Sequence, residues 1–321
     1  MGVTREDLKR TGRYLEISDE EWAVELEGRQ RVIDCYMKND EWATKIHKNV
    51  GCLLTASRNG LPYLKGSIES HKKLGLWTVL AYDNFIVPED AEIDFRQMPP
   101  KDVMDQVDTF LLSHHQSWGS VSYPYMWLLK LASGIMRNFE FVLCDNGDCI
   151  IENPDGFPKM LEELGDCDLM STGPTLEREI GTAGLLCRSE ALVKISKHLI
   201  DNVVPFENYE KTTQEFGNTE GRIACAVRDL GLKVKVVEPG YNEQLHFPGT
   251  GFWWKTIGYR HIHGEHNNAY RRKAIPPHYK YFDQRFMGDE YNQIRAYWEI
   301  VDAGGDMTQA NEILSNWWAK D

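Results

Sequence analysis

The chain has 321 residues, 42% of them hydrophobic, with no low-complexity block and no internal repeat, enough to bury one large core or two small ones. Its 36 Lys and Arg against 49 Asp and Glu give a formal charge of −13, which argues against broad adhesion to nucleic acid or anionic membrane, where Lys and Arg must neutralise phosphates. No apolar run has the length of a membrane span, the opening residues are too polar for a signal peptide, and seven cysteines without a Cys-x-x-Cys pair fit reduced thiols, so a cytoplasmic protein is expected.

Residues 1–47 read as helical, with Ser18-Asp-Glu-Glu21 in a capping-box pattern. From Lys48 to Leu54 the chain reads as a buried strand, followed by a polar turn over Thr55 to Arg58. Pro62 then opens a helix, whose inward stripe includes Leu64 and Ile68. Leu76 to Asp83 is a second strand that ends in an acid, as in a βαβ unit whose strand ends form a ligand crevice. Phe95 to Ser122 reads as a long irregular stretch.

The run from Phe139 to Ile151 carries the most chemistry. Phe141, Val142 and Leu143 predict an interior strand, Gly147 marks its turn, and Asp145 and Asp148 arrive close together. Hard divalent cations take oxygen ligands and share them between carboxylates and a diphosphate. Asp-Asn-Gly is also a common turn signal, so solvated acids on an Asn-Gly turn are the competing reading.

Pro154 to Leu164 predicts a helix, and Ser189 is placed as the N-cap of another. Further on, Ile223, Val227 and Leu230 form one helical stripe that Gly231 ends. Glu220, three residues before Ile223, falls on the same face at the first turn, where the helix dipole favours the ionised carboxylate. Gly258 to His266 holds His261 and His263 on one side if extended, with Glu265 and His266 close by. Tyr270 to Phe286 mixes basic and aromatic residues suited to a diphosphate, a sugar ring or a nucleic-acid strand, and is expected to be either a lid or a solvated loop. The tail predicts two helices broken at Gly304-Gly305, with Trp317 and Trp318 packing the last one.

From about Lys48 to His266 this order of parts resembles the GT-A glycosyltransferases, particularly the inverting, nucleotide-sugar-dependent family-2 group. The resemblance implies an α/β fold: a Rossmann-like mixed, mainly parallel sheet flanked by helices, with helical N- and C-terminal extensions. It divides the chain into an extension (1–47), a catalytic domain (48–270, with its nucleotide-binding half at 48–150 and its acceptor half at 151–270) and a basic, aromatic and helical tail (271–321). By resemblance, Thr55, Ala56, Ser57, Arg58, Asp83 and Asn146 serve the nucleotide. Asp145 and Asp148, with His261 or His263, bind Mn2+ or Mg2+, and Glu220 is the general base. The family motif is Asp-x-Asp whereas this chain has Asp-x-x-Asp, which leaves open which side chains ligate.

The implied reaction transfers a sugar from a nucleotide-diphosphate sugar, most commonly a UDP-sugar, to an acceptor hydroxyl with inversion. The acceptor could be a saccharide, a lipid-linked saccharide, a protein or a modified nucleic-acid base. Two other readings compete: a metal-dependent hydrolase built on His261, His263 and His266, and a catalytically silent GT-A-like binding module.

Overall fold

The computed structural model describes residues 18–20, 22–24, 26–28, 30–31, 49–83, 98–113, 132–171, 180, 184–202, 219–237, 241–242, 247–248, 252–262, 266, 269, 275–276 and 279–318. In chain order the strands are β1 (Val50–Ser57), β2 (Trp77–Asp83), β3 (Thr109–Ser113), β4 (Phe141–Asn146), β5 (Cys149–Ile151), β6 (Leu169–Ser171), β7 (Leu185–Arg188), β8 (Val234–Val236), β9 (Tyr241–Asn242), β10 (Phe247–Pro248) and β11 (Tyr259–His261). The helices are α1 (Leu61–Lys72), α2 (Lys101–Met104), α3 (Phe157–Leu164), α4 (Ser189–Asp201), α5 (Thr219–Asp229), α6 (Phe252–Ile257), α7 (Gln284–Met287), α8 (Asp289–Asp302) and α9 (Met307–Trp318).

Seven strands form one sheet in the order β3-β2-β1-β4-β7-β6-β8. All run parallel except β7, which is antiparallel to both its neighbours. This is the mixed, mainly parallel sheet flanked by helices that the sequence predicts. Strands covered on both faces read as continuous apolar runs, and β1, β2 and β4 do so because helices lie above and below them. On one face Leu64 and Ile68 of α1 and Met160 of α3 pack on Leu54, Leu80 and Leu143. On the other, Leu192 and Ile195 of α4 and Ile223 and Val227 of α5 cover Leu53, Val79 and Val142. Each such side chain, fully buried, contributes about 1.5–3 kcal/mol relative to exposure.

Two expectations change. β1 does not turn at Thr55 but continues through Ser57, because Thr55 still pairs with Asn146 and Ser57 with Asp83. Within the stretch read as irregular, α2 and β3 are regular. Phe110 and Leu112 are buried, and β3 pairs in parallel with β2, so its apolar content serves a sheet position rather than a loop.

The C-terminal helices join the body rather than stand apart from it. Phe282, Met287 and Ile294 form an apolar cluster with Tyr63, Ile150 and Ile262. Gly66 makes this approach possible, since a Cβ there would lie 2.5 Å from the Tyr281 carbonyl oxygen. The expected break between the last two helices falls at Gly304-Gly305, between α8 and α9. The residues described between 19 and 31 are helical, while Glu21 of the capping-box pattern lies outside the described residues.

Candidate functional site

β4 carries Val142, Leu143 and Cys144 through the core without exposure and delivers Asp145 and Asn146 to the carboxyl edge of the sheet. The chain then folds down against β1: Gly147 N donates to Thr55 O at 2.7 Å. Only glycine fits there, because a Cβ would stand 2.7 Å from that of Ala56 and 2.9 Å from Leu64 Cδ1. Asp148 emerges on the far side of this turn, and β5 leads away to pair antiparallel with β11, placing Cys149 opposite His261.

Asp148 Oδ2 lies 3.2 Å from His261 Nε2, and both side chains stay partly exposed, at 16% and 22%. Cys149 Sγ lies 3.7 Å from Asp148 Oδ1. One ligand-type atom from each of the three residues falls within 4.8 Å of the others, close enough to surround a single ion. Burial, followed by the charges of Asp145 and Asp148, pushes the Cys149 thiol well above its ordinary range, so the carboxylate and the imidazole are the readier donors.

Asp145 turns the other way. Its carboxylate is wholly buried, and Oδ1 accepts from Tyr259 Oη at 2.7 Å, from Gly184 N at 3.1 Å and from Asn146 N at 2.8 Å. Oδ2 lies 2.9 Å from His71 Nε2. On the ring's other side, Nδ1 faces Ser67 O at 2.9 Å and Ser70 Oγ at 3.3 Å, and the Ser70 hydroxyl itself donates to Ser67 O. Both ring nitrogens therefore face oxygen atoms, and the ring bridges the Asp145 carboxylate to the backbone of α1. Three donors crowd Oδ1 of Asp145 and His71 holds Oδ2, so its carboxylate is engaged by its neighbours, whereas Asp148 and His261 approach each other at the rim.

Of the residues expected near the nucleotide, Thr55 Oγ1 lies 3.2 Å from Asn146 Oδ1 and joins the two strand ends beside Gly147. Ala56 is buried, Ser57 is exposed and Arg58 is half-buried in the short 3-10 turn that follows. Asp83 is the last residue of β2, in register with Ser57. Glu220 occupies the first turn of α5, as predicted.

His263 and Glu265 lie outside the described residues. His266 does not join His261: its Nδ1 meets Tyr63 Oη at 2.7 Å and its Nε2 meets Glu290 Oε1 at 2.9 Å. Burial first, then Glu290 and Asp148, raises the Tyr63 phenol, which suits its role as donor to the histidine. Ser189 is the first residue of α4 rather than its cap, and its buried Oγ meets no hydrogen-bond partner among the described residues.

A cavity of about 720 Å³ lies elsewhere, at the amino end of β4 between Phe139, Glu140, Arg188, Ser189 and Lys194. It is at the opposite end of that strand from Asp148, and its charges are mixed in sign.

Four supporting residues went unread in the sequence: His71, Tyr259, Tyr63 and Glu290. Two had a signal. His71 continues the inward stripe Leu64, Ile68 at helical spacing, and Tyr259 alternates with His261 along β11. Glu290 had none, because its partner is 24 residues away and joined only by the packing of α8.

No protein-family model matches the chain, and no curated protein does. Among solved structures, the chain is similar to a cytidylyltransferase from Leptospira borgpetersenii serovar Hardjo-bovis (strain JB197), at 13% identity and a TM-score of 0.34, over 59% of this chain and 76% of that one. It is also similar to the mannosyltransferase PcManGT from Pyrobaculum calidifontis in complex with GDP-Man and Mn2+, at 11% identity and a TM-score of 0.37, over 67% of this chain and 65% of that one. The bifunctional glycosyltransferase WbbM, in its apo form, aligns at 8% identity with a TM-score of 0.40, over 78% of this chain and 50% of that one.

Proposed function

We propose that the chain is a metal-dependent glycosyltransferase of GT-A type, in which Asp148 and His261 hold a divalent ion against the diphosphate of a nucleotide sugar. The observation that carries this reading is the 3.2 Å approach of the Asp148 carboxylate to His261 at the carboxyl edge of β4, one strand from Thr55. Open parallel sheets bind ligands outside the carboxyl ends of their strands. One oxygen and one nitrogen donor leave coordination positions open for diphosphate oxygens, and the imidazole favours a transition ion such as Mn2+ over Mg2+.

When bound, the ion supplies Lewis-acid stabilisation of the negative charge on the departing diphosphate. Thr55, Arg58, Asn146 and Asp83 orient the nucleotide, for which UDP is the first candidate. Glu220, at the start of α5, removes the proton from the acceptor hydroxyl as its oxygen attacks the anomeric carbon, and the configuration inverts. A positioned general base accelerates such a step by about 10²–10⁴-fold. Glu220→Gln is therefore expected to lower turnover by that factor and leave donor binding intact; loss of donor binding would remove Glu220 from this role.

The first test is a thermal-shift comparison of UDP, GDP and CDP with their sugars, with and without Mn2+, on wild type and Asp148→Ala. A ligand at about 100 times its Kd stabilises the native state by about 2.7 kcal/mol. A Mn2+-dependent shift from one nucleotide, lost in the variant, is the expected result. Stabilisation by zinc alone would favour the hydrolase reading, although His266 is already engaged with Tyr63 and Glu290.

A further inference from the structure

Resting on the reading above, we infer that Asp145 and Tyr259 are positioning residues that set the distance between Asp148 and His261 from beneath the site. Asp145 stands three residues before Asp148, and Tyr259 stands two before His261. Their 2.7 Å hydrogen bond thus links the two segments that bring in the donor pair, which are 113 residues apart in sequence. Backbone pairing already joins the two segments, since the β5/β11 ladder sets Cys149 opposite His261 and Ile262 N donates to Asp148 O at 3.0 Å. The Tyr259–Asp145 bond adds a side-chain tie from β11 to the end of β4, which that pairing does not supply.

The carboxylate is itself fastened to the frame. His71 holds it to α1, and Gly184 N holds it to the start of β7. Ser70, next to His71, accepts from Ile151 N at 3.2 Å, so the same turn of α1 also grips β5. Removing the Tyr259 hydroxyl leaves β4, α1 and β7 joined through Asp145 and β11 paired with β5, and takes away only the tie between β11 and β4. Groups that orient ligands from behind typically govern metal affinity by about 10–100-fold. A carboxylate already accepting three hydrogen bonds on one oxygen and facing an imidazole with the other is suited to that work, and unsuited to ligation.

The test is Mn2+ binding to the full chain, read by electron paramagnetic resonance of free Mn2+, for wild type, Tyr259→Phe, Asp145→Asn and His261→Ala, with melting temperature followed in parallel. Tyr259→Phe is expected to melt near the wild type and to bind Mn2+ about 10–100-fold more weakly. Asp145→Asn should bind at least as weakly, and His261→Ala should lose binding. Wild-type affinity in Tyr259→Phe would overturn the inference, as would loss of binding in Asp145→Asn alone, which would make Asp145 a ligand. A Tyr259→Phe chain without a melting transition would also overturn it, in favour of a purely structural bond. If the wild type itself takes up no Mn2+, the metal reading falls and this inference with it, whereas wild-type binding that Tyr259→Phe leaves unchanged sinks only the positioning role.

Discussion

On one face of the β5/β11 ribbon, Asp145 gathers hydrogen bonds from His71, Tyr259 and Gly184. On the other, Ile150 and Ile262 sink into an apolar cluster with Phe282, Met287 and Ile294. Hydrogen bonds are directional and short, so the first face fixes where the ribbon sits. Apolar burial is non-directional and scales with area, so the second face fixes how firmly it is held. Cys149 and Ile151 also bury the first face in the main core, so hydrogen bonds there add position to burial, whereas the second face rests on apolar packing, largely against the C-terminal helices.

Substitutions on each face test this division. Asp145→Ala has the largest expected effect: it strands His71 beside an empty space in the core, and breaking a buried pair costs about 3–5 kcal/mol. Chemical denaturation would measure it, and a loss below about 1 kcal/mol would show that the bond between His71 and Asp145 contributes little to stability. Ile294→Ala on the apolar face should cost about 2–5 kcal/mol, because Ile294 is wholly buried, while metal affinity stays within a few-fold of wild type. A collapse of metal binding in a still-folded Ile294→Ala chain would break the division between the two faces.

Glu290→Gln keeps the size of the side chain and weakens one charge-assisted hydrogen bond to His266, for an expected loss of about 0.5–1.5 kcal/mol in the same denaturation experiment. The smallest effect belongs to Asp102, whose hydrogen bond from Arg285 holds its carboxyl below the ordinary range. Its folded value is depressed, so the stabilisation is present above the unfolded value of about 3.9 and is lost as pH falls through the lower folded one. Both partners are close to half exposed, so Asp102→Asn should cost under about 1 kcal/mol at neutral pH. The two stability curves should converge once the pH has fallen below the depressed folded value; a difference that persists at still lower pH would point to packing rather than charge.

Much of this was legible in the sequence, and what was not has physical reasons. Strand β4, helix α5 and the paired helices of the tail follow from apolar periodicity and from Gly147, Gly231 and Gly304-Gly305. The different placements of Asp145 and Asp148 did not, because β4 is buried on both faces and alternation gives no inward or outward sense there. The Asp-x-x-Asp spacing explains itself once Gly147 is folded against Ala56: the extra residue sends the first acid into the core and the second to the rim. β3 escaped notice because five residues are too few to show a period, and only the edge of β2 gives them a place. Glu290 matters through a partner that lies 24 residues away, a distance at which local pattern carries no information.

The pairing of β5 with β11 also has a consequence for biosynthesis. Asp148 leaves the ribosome 113 residues before His261, an interval of about 6–23 s at 5–20 residues per second. Throughout that time the sheet from β1 to β4 can form, while the edge of β5 waits without its partner. A nascent chain halted before Tyr259 would carry β1, β2 and β4 but not the pair of Asp148 with His261, so competence for the proposed chemistry would arrive with the last third of the chain.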